Sequence, residues 1–149
     1  MFLDASAIVA ILNEEDEAAD FLARLSRHSG RFYVSPLARF EACVALARAK
    51  RDPRKSKHAS IALAEAAVDD FIAALGAEEV AVTAEIGRAA LGAAKTFGKF
   101  VGHPADLNFG DCFAYASAKA ARAPLLFKGG DFSLTDVNDG FDLPAIGPP

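Results

Sequence analysis

The stretch from Leu107 to Val137, LNFGDCFAYASAKAARAPLLFKGGDFSLTDV, decides the fold. Within it, Phe109 to Arg122 reads as a helix, Pro124 to Phe127 (PLLF) as a buried strand, and Lys128-Gly129-Gly130-Asp131 as a turn. Working outward, the same alternation recurs. Met1 to Asp4 is a short apolar run ending in an acid, and Ala5 to Leu12 is apolar and Ala-rich. Glu14 to Arg27 places Ala18, Phe21, Leu22 and Leu25 at spacings of three and four, the pattern of an amphipathic helix. Arg31 to Ser35 is aromatic and β-branched, hence a strand. Ser35 followed by Pro36 is a helix-start signal for a helix running to about Lys50.

After a break at Arg51-Asp52-Pro53, Lys55 to Leu75 predicts a helix with Ile61, Leu63, Val68, Phe71, Ile72 and Leu75 as its apolar positions. Glu79 to Val82 predicts a strand, and Thr83 can cap a helix from Ala84 to about Phe97. Gly98 to Gly110 reads as loop, and the tail with Gly140, Pro144, Gly147, Pro148 and Pro149 also ends in loop. Strands alternating with helices imply a parallel sheet sandwiched between helices, where ligands bind beyond the carboxyl ends of the strands.

The 149 residues suit one domain spanning 1–149. The longest stretch free of Asp, Glu, Lys and Arg, Ala5 to Asn13, is far below the roughly 20 residues of a membrane span, and Asp4 interrupts any apolar leader. Cys43 and Cys112 form no CxxC and read as buried, reduced thiols. A net charge of −4 disfavours coating nucleic acid by charge alone, but leaves open an approach to phosphate through bound cations.

Four acids occupy the places where the sheet rule points. Asp4 follows the first strand, Glu41 lies two turns into the helix after the second, Asp111 opens a helix, and Asp131 follows the last strand. All four have apolar or small neighbours. Burying carboxylates together is costly unless protons or cations neutralise them, and an all-oxygen set selects Mg²⁺ or Mn²⁺ over zinc. Each acid also has a purely structural reading. Asp4 can be an N-cap, Asn108 and Asp111 have the spacing of a cap and its third helical residue, and Asp131 can be a turn residue. Glu41, between Phe40 and Ala42-Cys43-Val44, has the weakest structural reading of the four.

The blocks DASAIVAIL, SPLARFEACVAL and LNFGDCFAYASAKAARAPLLFKGGDFSLTDV resemble, in order, the motifs of PIN-domain ribonucleases, and in particular the VapC-type toxins of bacterial type II toxin–antitoxin pairs. The resemblance covers roughly the first and last thirds of the chain. It implies a three-layer α/β/α sandwich with a short, mainly parallel central sheet, and a four-acid metal site at Asp4, Glu41, Asp111 and Asp131. Ser6 and Asn108 match polar positions beside those acids, and Asp136 follows as a peripheral acid. The implied activity is Mg²⁺- or Mn²⁺-dependent endoribonuclease cleavage with one or two ions. The implied partners are RNA, a VapB-like antitoxin and a second copy of the chain, in the cytoplasm and without a membrane.

Other features have two readings. Lys128 can contact phosphate or be a solvated turn residue. Arg48, Lys50, Arg51, Arg54, Lys55 and Lys57 form the one basic cluster, either an RNA-backbone groove or a solvated helix junction. His28, His58 and His103 form no acid/base pair, and the twelve phenylalanines read almost entirely as packing. Beside a DNA nuclease of the same fold, two rival functions remain. One is a non-catalytic PIN-fold dimer that only binds its antitoxin and regulates its own expression. The other is a haloacid-dehalogenase-like phosphatase, suggested by Gly130-Asp131 and Asp136, although its second early Asp is here Ser6.

Overall fold

In the computed structural model, residues 1–138 and Phe141 are described. Their four strands are β1 (Phe2–Leu3), β2 (Tyr33–Val34), β3 (Glu78–Glu79) and β4 (Leu125–Leu126), paired in parallel in the order β3-β2-β1-β4. The helices are α1 (Ala5–Leu12), α2 (Ala18–Arg27), α3 (Pro36–Ala49), α4 (Lys57–Leu75), α5 (Ala84–Phe97) and α6 (Phe109–Ala120), making an α/β sandwich. Short 3-10 turns cover Lys99–Val101 and Asp131–Leu134. The predicted tail loop at Gly140 and from Pro144 to Pro149 lies outside the described residues.

The strands are short because a capping residue ends two of them. Asp4 is extended and turns β1 into α1, its side chain accepting from the Ser6 N–H. Ser35 does the same between β2 and α3, its hydroxyl accepting from the Ala38 N–H at 3.1 Å with Pro36 in the first turn. Ser56 and Thr83 cap α4 and α5 in the same way. Gly76, at a φ of 60°, supplies the left-handed residue that closes α4.

Three boundaries depart from the sequence reading. The helix expected from Glu14 begins at Ala18, because Asn13 closes α1 and Glu14 adopts a left-handed φ of 56°. The strand expected at Glu79–Val82 spans only Glu78–Glu79: the Val80 N–H still donates to the Val34 carbonyl at 2.8 Å, but β2 turns into α3 at Ser35 and the ladder ends there. The turn expected at Asp131 is the start of a 3-10 helix.

The core sits on the central strands. Phe2, Leu3, Leu125 and Leu126 are fully buried with Val34, Ile8, Leu46 and Val68, and each such side chain is worth about 1.5–3 kcal/mol over its exposed state. Around this core α2 packs on α1, α1 on α3, α3 on α4, and α5 on α6, with α6 touching both α3 and the central strands. At the outer rim of β4, the Asn138 side chain accepts from the Leu125 N–H at 2.7 Å and donates to the Leu125 carbonyl at 3.2 Å. At the opposite rim, β3 is two exposed glutamates. Cys43 and Cys112 are both buried and unpaired. Phenylalanine is a correction to the packing expectation: Phe40 (65% exposed), Phe100 and Phe109 stand in solvent. No helix among the described residues is long and apolar enough to cross a membrane.

Candidate active site at the carboxyl ends of the central strands

Asp4 is held by both its backbone and its side chain. Its N–H donates to the Leu126 carbonyl at 3.0 Å, which fixes it between β1 and β4. Its carboxylate accepts from the Ser6 N–H at 2.9 Å and from the Ser6 hydroxyl. That hydroxyl also accepts from the Lys128 N–H at 3.0 Å, so one serine orients the acid and fastens the turn after β4. At 6% exposure, burial pushes the Asp4 carboxyl above the usual carboxylate range despite the Ser6 hydrogen bonds that favour its charge.

Asp111 is the third residue of α6 and closes a reciprocal cap. Its N–H donates to Asn108 Oδ1 at 3.1 Å, and its Oδ2 accepts from the Asn108 N–H at 2.8 Å. Burial raises its pKa, and the charges of Asp4 and Asp131 raise it further. Glu41 projects from α3 into the same space, raised by burial first and then by Asp4 and Asp111. Its carboxylate lies against Gly110, where a Cβ would come within 2.3 Å of Oε1. A side chain at position 110 would therefore displace Glu41.

Asp4, Glu41 and Asp111 share the wall of one cavity of about 570 Å³ with Ser6, Asn108, Phe40 and Arg48. Asp131 is exposed outside that wall, near enough for its charge to act on Asp111. No Lys or Arg among the described residues is ion-paired with any of the four acids. Among the described residues, no three acidic, His or Cys side chains are drawn close enough to form a finished ligand cage. The donor chemistry nevertheless fits a hard divalent cation: oxygen ligands only, partly buried, mutually repelling and not ion-paired with any protein cation among the described residues.

The remaining candidates are tied elsewhere. Lys128 borders the cavity, but its Nζ is held by Glu15 at 2.7 Å and Glu17 at 3.0 Å. Asp136 lies off the cavity wall and accepts from the Tyr115 hydroxyl at 2.5 Å and Lys119 Nζ at 3.0 Å. His28 meets the N-terminal amine at 3.0 Å, and His103 Nδ1 accepts from the Ala105 N–H.

A family model of the PIN domain matches residues 1–138. The chain belongs to the PIN-domain family. Over 139 residues it is 49% identical to a VapC ribonuclease of Rhizobium meliloti, covering 91% of this chain and 98% of that protein. Over 142 residues it is 38% identical to the ribonuclease VapC28 of Mycobacterium tuberculosis, covering 95% and 98%. The relatives therefore match over nearly their full length, and the chain is a VapC-type PIN domain.

Three residues in or behind this PIN domain's cavity wall escaped the sequence reading. Gly110 was visible only as a small residue before an acid, and its role depends on α3 meeting α6. Glu15 lines the cavity and pairs with Lys128 across 113 positions, a contact that no local pattern encodes. Phe40, beside Glu41, reads as core because the pattern of α3 does not show which flank the sheet leaves open.

Proposed function

We propose that this chain is a divalent-metal-dependent endoribonuclease and the toxin of a type II toxin–antitoxin module. One such domain spans the chain, and Asp4, Glu41, Asp111 and Asp131 form its Mg²⁺ or Mn²⁺ site, with one or two ions. The observation that carries this reading is the convergence of Asp4, Glu41 and Asp111 on one cavity, where none of the three is ion-paired among the described residues. The ribonuclease names of the full-length relatives supply the substrate class.

Bound there, a divalent ion would supply positive charge against the reacting phosphate and make water a better nucleophile. The protein's own part is positioning. Ser6 fixes the Asp4 carboxylate, Asn108 fixes Asp111, and Gly110 leaves room for Glu41. Asp131 and Lys128 bring the turn after β4 to the same end of the sheet. Attack by water with a 3′-oxygen leaving group gives 5′-phosphate and 3′-hydroxyl ends. The phosphatase alternative lacks support, because Ser6 stands where that chemistry needs a general acid and its hydroxyl is committed to Asp4.

A VapB-like antitoxin with an Arg or Lys reaching the carboxylates would silence the cavity. The exposed apolar residues Leu91, Phe100 and Val101 support pairing with a second copy, and cytoplasmic residence follows from the RNA substrate and the reduced thiols. The test is RNA-end sequencing after brief induction, with Asp4→Asn as control. New 5′-phosphate ends that vanish in the variant support the reading, and identical ends in both defeat it.

A further inference from the structure

Arg48 stands in the walls of two cavities. One is the acid cavity, and the other is an adjoining groove of about 350 Å³ bordered by Val44, Arg48, Arg51, Lys57 and Ile61. Val44 and Arg48, one turn apart on α3, form the shared wall. Glu41 lies seven residues before Arg48 on the same helix, a rise of about 10 Å. The groove therefore lies beside the acid cavity across Val44 and Arg48, and its charged residues are all cations.

Pairing separates these cations from the rest of the basic cluster. Arg54 is clamped by Asp52 at 3.0 Å, and nearby Arg39 is held by Asp69 and Glu65. Arg48, Arg51 and Lys57 have no carboxylate partner among the described residues, although the chain carries an excess of acids. The helix-junction reading explains Arg48, which sits in the last turn of α3 where a cation suits the dipole. It does not explain Lys57. That lysine opens α4, whose first turn holds no acid, and a cation there opposes the helix dipole. Three unpaired like charges around one groove, one of them at the wrong end of a helix, are arranged for an anion.

We infer that the groove of Arg48, Arg51 and Lys57 is the track for substrate phosphates flanking the scissile bond. The RNA strand crosses the acid cavity and leaves along the carboxyl-terminal half of α3. This rests on the ribonuclease reading and adds the path of the strand. A repeating anion satisfies both cavities at once: one phosphate lies at the carboxylates with their cations, and the next ones lie on guanidinium and ammonium groups.

The test measures binding apart from cleavage. A labelled single-stranded 12-nucleotide RNA is titrated in EDTA, across a salt series, against full-length Asp4→Asn and against Asp4→Asn carrying Arg51→Gln and Lys57→Gln. Both added positions are exposed, so the fold is retained. The groove predicts an affinity loss of fivefold or more at low salt. It also predicts a log–log salt slope shallower by about 1.4, two contacts at about 0.7 each. Arg51→Lys with Lys57→Arg restores both, which separates charge from folding. Unchanged affinity and slope overturn the inference. So does tighter groove-dependent binding of a poly-glutamate peptide, which would make the occupant an acidic protein segment. Cleavage by the parent chain with Mg²⁺ is scored separately. Cleavage without a slope change defeats the track alone, and a slope change without cleavage defeats the ribonuclease reading alone.

Discussion

Two cavities meet at Asn108, and they differ in almost every respect. The larger, about 890 Å³ between α5 and α6, is walled by Ala90, Leu91, Phe100, Phe109 and Phe113. The charges around it are mutually neutralised, with Arg88 on Glu85 and Lys99 on Asp106. The smaller holds Asp4, Glu41 and Asp111, which repel one another and are ion-paired with no cation among the described residues. Volume alone would direct attention to the wrong one. The apolar cavity asks for packing by another surface, whereas the acid cavity asks for charge, and only unneutralised charge can be turned to phosphate chemistry.

The sharpest way to break this contrast is Asp4→Asn or Asp111→Asn. Asparagine caps a helix as well as aspartate does at position 4, and at position 111 its side-chain oxygen can still accept from the Asn108 N–H, so circular dichroism should be unchanged. Cleavage of RNA with Mg²⁺ should fall by at least about a hundredfold. Wild-type rates in either variant would return both acids to a purely capping role. Gly110→Ala comes next. It drives a methyl into the Glu41 carboxylate, the far end of a flexible side chain that can swing aside, so urea denaturation should change by less than about 1 kcal/mol while most of the activity is lost. Adding Glu41→Ala should leave the stability near that of the single variant and should not bring cleavage back, because the acid is gone.

On the other side of Asn108, the proposed pairing with a second copy predicts a dimer mass in light scattering that Leu91→Ser with Phe100→Ser shifts to monomer while the acids stay in place. An unchanged mass would put the second copy elsewhere. The smallest effect is in pH. Asp4, Glu41 and Asp111 hold protons more tightly folded than unfolded. The metal-free protein therefore loses their contribution as pH rises from about 4, the unfolded value, through the raised folded values. Glu41→Gln should melt higher than the parent at pH 7, by about 2–4 °C if the relief is near 1 kcal/mol, with the gap closing at pH 4.5.

How much of this was legible depends on range. Strand–acid–helix order was readable because Asp4, Ser35, Thr83 and Asn108 are local caps, each acting within three residues. The parallel sheet followed from that order. The acids were nameable since apolar neighbours made their charge conspicuous, and both readings of Asp4 and Asp111 coexist: each carboxylate caps a helix and faces the cavity. What escaped was long-range or a matter of which side faces out. Lys128 meets Glu15 across most of the chain. Phe40 has the composition of a core residue and the position of a surface one. Glu14 stops a helix through a backbone conformation that its side chain does not advertise.

The rims of the sheet carry a last consequence. Asn138 presents an amide to Leu125 where a fifth strand would lie, and Glu78 and Glu79 set negative charge along the opposite border. One border has its backbone groups occupied and the other is a two-residue strand carrying exposed charge, so both discourage growth of intermolecular β-structure. Oligomers of this protein must then be built from helical surfaces, and replacing Asn138 by leucine should show up first as fibrillar aggregation on storage.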